Sequence, residues 1–110
     1  MNAKRKGDHA ELELLHLLEE YGIPCHRNQQ GILADFAGGR GNPDIQARIG
    51  GQDYHIECKR TERFSLYPAL EQAQRDAVDM VPVVMHRASR RPWVVILTLD
   101  DFLRLTLERQ

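Results

Sequence analysis

The feature that most restricts the fold is a stretch of strict alternation that reverses once between residues 44 and 59. Ile45, Ala47 and Ile49 alternate with Asp44, Gln46 and Arg48. After Gly50-Gly51-Gln52-Asp53, Tyr54, Ile56 and Cys58 alternate with His55, Glu57 and Lys59. A two-residue period is that of an extended strand with one apolar face. Two such runs about a Gly-Gly turn predict an antiparallel hairpin.

The rest of the chain supplies elements to pack on that hairpin. Residues 8–21 read as a helix with Leu14, Leu15, Leu18 and Tyr21 on one face. Asp8 is the expected cap, with Glu11 completing a capping-box pattern, and Gly22 and Pro24 end the helix. Residues 23–27 suggest a short strand, and 28–42 a loop rich in Gly, Asn and Gln. A second helix is expected over 66–79, burying Leu66, Leu70, Ala73 and Ala77. Apolar strands follow over 81–85 and 93–99, then a last helix capped by Asp100 and carrying Phe102, Leu103 and Leu107. There is no repeat or linker, so one domain over 1–110 is expected. The order α-β-β-β-α-β-β-α implies an α/β architecture, a mixed central sheet flanked by helices.

Chemistry concentrates on the hairpin. Glu57 and Lys59, two apart in one strand, project to the same side, and the pairing brings Asp44 towards them. Two carboxylates and an ammonium on one patch suit phosphodiester hydrolysis. Carboxylate oxygens hold Mg²⁺, which also contacts phosphate and lowers the pKa of a bound water. A lysine alongside stabilises developing charge, and the Cys58 backbone carbonyl is a further ligand candidate. Glu11 shares the helix face of Leu14, Leu15 and Leu18, where a carboxylate needs a partner. Two roles fit it: metal ligation, or capping and helix-dipole compensation near the N-terminus.

Charge is informative through its placement. The net charge of −1 argues mildly against a nucleic-acid partner. Yet Lys4, Arg5 and Lys6 open the chain, Lys59, Arg60 and Arg63 cluster centrally, and Arg87, Arg90 and Arg91 form a third group. Arg40, in the Gly-rich stretch 38–41, is a phosphate-contact candidate, although that stretch lacks the Gly-Lys-Ser/Thr ending of a P-loop. His9, His26, His55 and His86 lack zinc-ligand spacing, and His55 is expected at the rim of the site. Trp93 and Phe64 are expected in the core, with a nucleic-acid contact open to Phe64. Cys25 and Cys58 are expected as reduced thiols. No apolar run approaches the about 20 residues that span a bilayer. The basic start lacks the apolar stretch of a signal peptide, so no membrane association and a cytoplasmic location are expected.

Taken together, Lys6-Gly7…Glu11, Gly41-Asn42-Pro43-Asp44-Ile45 and His55-Ile56-Glu57-Cys58-Lys59 resemble the PD-(D/E)XK nuclease superfamily. Within it, the chain is most similar to archaeal-type Holliday junction resolvases and their small phage relatives, over residues 6–86. The resemblance implies a restriction-endonuclease-like α-β-β-β-α-β core. It also implies a Mg²⁺ site (Mn²⁺ substituting) made by Glu11, Asp44 and Glu57, with Lys59 as the catalytic lysine. Arg27 stands where those resolvases carry a basic residue, and Gln72 where some branches carry a glutamine, Gln74 being its alternative. Leu12 departs from the arginine common after the helix glutamate. The implied protein is a DNA endonuclease cutting four-way or other branched DNA, in host cytoplasm if phage-encoded. A flap, nick or duplex nuclease of the same fold is one alternative, and an inactive DNA-binding module is another. Two symmetric incisions in a junction call for a homodimer. The apolar residues of 93–99 and of the last helix offer surface for it, or else close the monomer's sheet.

Overall fold

The structure, a computed structural model, describes residues 3–28 and 44–107, the side chains of 3–6 and 8 excepted. Arg40 and the Gly-rich stretch 38–41 lie outside the described residues, as do the side chains of Lys4, Arg5, Lys6 and Asp8. The elements run α1 (Ala3–Glu20), β1 (Cys25–Arg27), β2 (Ile45–Ile49), β3 (Gln52–Arg60), α2 (Leu66–Asp76), β4 (Val81–Arg87), β5 (Val94–Ile96) and α3 (Leu99–Leu107). The strands form one sheet in the order β1-β2-β3-β4-β5. Only β3 and β4 are parallel neighbours, with α2 as the crossover; the other pairs are antiparallel. This is the expected mixed α/β sheet.

Helix α1 starts at Ala3, so position 8 lies inside it and the Asp8 capping box does not form. The apolar period begins only at Ala10, but Ala3 to Lys6 are strong helix formers that extend the helix. At the other end Ile23 N–H bonds Leu18 C=O at 3.1 Å and Gly22 N–H bonds Glu19 C=O at 2.9 Å. Gly22 has φ +76°, which completes a Schellman stop. Tyr21 has therefore left the helical register and is exposed rather than buried.

The hairpin is tighter than the sequence suggests. Ile49 pairs with Gln52, leaving Gly50 and Gly51 as a two-residue turn with φ of 59° and 83°. Positive φ at both positions gives the turn whose twist matches the flanking strands. Gln52 and Asp53 belong to β3, and Asp53 accepts an ion pair from Arg48 at 2.9 Å.

Each sheet face has its own core. Leu14 and Leu18 of α1 pack with Ile45, Ala47, Ile56, Val83 and Met85 on one face. On the other, Ala69, Leu70 and Ala73 of α2 pack with Val84. The α2 stripe is shifted from the expected set: Leu66 is exposed, and Ala77 has extended dihedrals that end the helix. Central strand β3 is thus covered on both faces at its middle, burying His55 and Glu57 as fully as Ile56.

Thr98, not Asp100, caps α3: its Oγ1 accepts the Asp101 N–H at 3.1 Å. Asp100 sits in the first turn, where its charge complements the helix dipole. No residue of α3 is fully buried. Leu97 and Leu105 pack against the sheet, and an open pocket of about 660 Å³ is lined by Tyr54, Val83, Met85, Leu97, Phe102 and Leu105. Among the described residues no helix is long and apolar enough to cross a membrane.

Candidate active site

The β2–β3 register starts with Ile45 opposite Ile56, so Asp44, the residue before β2, stands at the end of that ladder near Glu57 and Cys58. Asp44 is fixed there by its side chain, whose Oδ2 accepts the Cys58 N–H at 2.8 Å. Its backbone is held on the other side by Asn28, whose N–H bonds the Asp44 carbonyl at 3.1 Å. An extended residue points its N–H and C=O towards the same neighbouring strand, so the Cys58 carbonyl faces the gap beside Asp44 too.

Lys59 continues the face of Glu57, and its Nζ lies 3.4 Å from Gln72 Oε1 on α2. Gln72 is half-buried beside the site, whereas Gln74 is exposed. From α1, Glu11 reaches the sheet edge, where its Oε1 accepts Arg27 Nε–H of β1 at 2.8 Å. Glu11 lies well past the first turn of α1, so the capping and N-terminal dipole role has no geometric basis.

These groups act on one another. Burial pushes the Asp44 carboxyl up to about 7. The Glu57 charge adds to that effect and Glu11 adds less, while the Cys58 N–H and Lys59 pull the other way. Asp44, Glu11, Glu57 and Lys59 therefore stand within electrostatic reach of one another. Burial, then Asp44 and the α1 glutamates, also raises the Cys58 thiol, which leaves it a poor nucleophile. Cys25 is raised by burial and Glu19, and both cysteines are free.

A divalent cation fits the chemistry of this donor set. Asp44 and Glu57 lie within electrostatic reach of each other and of Lys59, and hard oxygen ligands suit Mg²⁺. The carboxylates do not already converge. Among the described residues no three His, Cys, Asp or Glu side chains are gathered closely enough to hold a metal ion. Each is engaged by a donor instead: Asp44 by Cys58, Glu11 by Arg27 and Glu57 by His55.

His55 is the largest departure from the sequence reading. It is fully buried rather than at the rim, and its Nε2 lies 3.1 Å from Glu57 Oε1. The alternation of β3 already puts the two on one face, but only α2, packed over β3 and β4, makes that face interior. Phe64 stacks on His86 at 4.1 Å and packs against the α2 core. Trp93 packs at the edge of the other core, with the Arg87 guanidinium 5.8 Å from its ring centre.

The two basic groups meet at one end of the sheet. The parallel ladder sets Arg60 beside Arg87. Arg87 is engaged by Glu13 at 2.9 Å, and Arg60 by Glu62 and Ser89. Glu62 also accepts the Ser89 N–H at 3.0 Å, tying the β3–α2 loop to the turn after β4. Ser89 and then Arg60 hold the Glu62 carboxyl below its usual range. Arg63, Arg90 and Arg91 are exposed and have no ion pair among the described residues.

No protein-family model matches the sequence, and no curated protein matches it. Among solved structures, Hjc from Archaeoglobus fulgidus, described as a Holliday junction resolvase from an archaeal hyperthermophile, matches with a TM-score of 0.64. The match covers 83% of this chain and 76% of that one at 22% identity. The five-stranded mixed sheet flanked by helices is thus a fold that this chain shares with that archaeal protein.

Proposed function

We propose that this chain is a Mg²⁺-dependent endodeoxyribonuclease that cuts branched DNA, with the four-way junction as its substrate. The observation that carries the reading is the proximity of Asp44, Glu57 and Lys59, with Glu11 of α1 also within electrostatic reach of Asp44. The fold it shares with the archaeal resolvase supports the choice of substrate.

In this reading Asp44, Glu57 and Glu11 hold the cation, with the Cys58 carbonyl as a further ligand. The bound ion supplies Lewis-acid activation of the phosphate and of a water. Lys59, steadied by Gln72, faces the charge that builds on the phosphoryl oxygens. Arg27 keeps Glu11 turned to the edge. Arg60, Arg63, Arg90 and Arg91 track the backbone leaving the site, with Lys4, Arg5, Lys6 and Arg40 as additional phosphate contacts.

A homodimer completes the reading, since one domain offers one site and a junction needs two cuts. Val94, Val95, Leu99, Phe102, Leu103 and Leu107 are all exposed on edge strand β5 and α3, which supports a subunit contact there.

The test is cleavage of a synthetic four-way junction against matched duplex, with Mg²⁺ and with EDTA. Junction-selective cutting that EDTA abolishes is expected. Equal cutting of both substrates would favour a general nuclease of this fold, and binding without cutting in Mg²⁺ or Mn²⁺ an inactive module.

A further inference from the structure

Residue 55 occupies an apolar position. Its side chain is fully buried on the face that α2 covers, between Gln46 of β2 and Pro82 of β4 in the ladders. A histidine there carries a cost that a leucine or phenylalanine would not. Its Nδ1 is buried with no hydrogen-bond partner among the described residues. The one polar contact that sets it apart from an apolar residue is the bond from Nε2 to Glu57 Oε1, at 3.1 Å. An ionised carboxylate only accepts, and with Glu57 in that form Nε2 carries the proton of the bond. Glu57 is itself buried, with Val84 alongside on β4 and the Asp44 carboxyl within its electrostatic reach.

We propose that His55 is the positioning residue of this centre: its Nε2–H engages one oxygen of Glu57 and turns the other towards Asp44 for the cation. The inference rests on the metal-dependent nuclease reading and adds to it a residue that touches neither metal nor DNA. Partners of this kind fix the orientation of a ligating carboxylate, and their loss weakens metal affinity by about 10- to 100-fold.

The test is Mn²⁺ binding without DNA, by calorimetry, on the whole protein, with wild type, His55→Phe, His55→Gln and Glu57→Gln compared. His55→Phe fills the site but cannot donate, so Mn²⁺ affinity should fall by about 10- to 100-fold in a protein that still folds. His55→Gln keeps an amide donor near the Nε2 position and should recover part of the affinity. A folded His55→Phe that binds Mn²⁺ within about twofold of wild type overturns the proposal. If that same preparation stands beside a Glu57→Gln variant that has lost binding, the metal site survives and only the role of His55 fails. Wild-type affinity in Glu57→Gln overturns the nuclease site itself, and His55 with it. Should His55→Phe not fold, the imidazole ¹⁵N signals of wild type decide. On Mg²⁺ addition the His55 Nε2 resonance should move, and a resonance that stays fixed at saturating Mg²⁺ overturns the proposal.

Discussion

Asp44 is the residue whose surroundings say most about its role. Its carboxyl is raised from 3.8 to about 7, first by burial and then by Glu57. A raised acid favours its protonated form in the folded state. In the metal-free protein that favourable contribution is complete below pH 4 and is lost as pH rises through about 7. Metal-free wild type should therefore melt progressively lower between pH 4 and 8, by the equivalent of a few kcal/mol. Asp44→Asn should flatten that slope, melt higher than wild type at pH 8, and cut no DNA. Melting curves in EDTA and cleavage in Mg²⁺ on the same preparations check both halves. Glu11 gives a second residue-scale prediction. Without a capping role, its stability term is the part-buried pair with Arg27, about 1 kcal/mol. Glu11→Gln should cost no more than that in urea unfolding while abolishing cleavage. Near-normal cutting would remove Glu11 from the site.

At the scale of elements, the turn that closes the hairpin sets the register on which the site depends. Gly51 has φ +83°, and a Cβ there would meet nothing within 4 Å. Gly51→Ala should thus cost about 1–2 kcal/mol through backbone strain alone, and Gly51→Asn less, since asparagine tolerates left-handed dihedrals. Urea unfolding of both variants checks the order. Legibility along the chain follows from the kind of signal each element carries. The hairpin announces itself because alternation and a Gly-Gly turn are local and strong. The start of α1 does not, because Ala3 to Lys6 extend the helix by propensity and leave no apolar period to read. The α2 stripe is misplaced because Leu66 looks like core, yet it is Ala69 that the helix buries, beside Leu70 and Ala73.

For the whole molecule, the parallel crossover through α2 has joined two basic groups that lie far apart in the chain. Arg60 and Arg87 are neighbours in the ladder, and the turn after β4 holds Arg90 at φ 64°, a conformation that costs a non-glycine residue energy. Arg91 N–H closes that turn on Ala88 C=O at 3.2 Å. Replacing Arg90 and Arg91 together by Ala should weaken DNA binding uniformly across sequences and lower the salt slope by about one for each lost phosphate contact. Mn²⁺ affinity should not change, and an unaltered salt slope would take these residues off the DNA path. The exposed apolar residues of β5 and α3 give the last prediction. Wild type should sediment as a dimer at micromolar concentration. Phe102→Glu should sediment as a monomer, keep its metal affinity and lose paired cutting of a junction. A wild-type monomer, with and without junction DNA, would end the dimer reading.

Sequence by itself determined the hairpin, the element order and the candidate chemistry of Asp44, Glu57 and Lys59. All of these depend on spacing within a short stretch, where a two-residue period leaves no choice about which side chains project together. Tertiary structure alone decided what each group meets. Burial of His55 against Glu57 requires α2 to lie over β3, the Glu11–Arg27 pair requires α1 to lie along β1, and the Lys59–Gln72 contact requires the crossover. Those contacts join residues from separate elements, and their geometry follows from how helices settle on a twisted sheet, which no local pattern encodes.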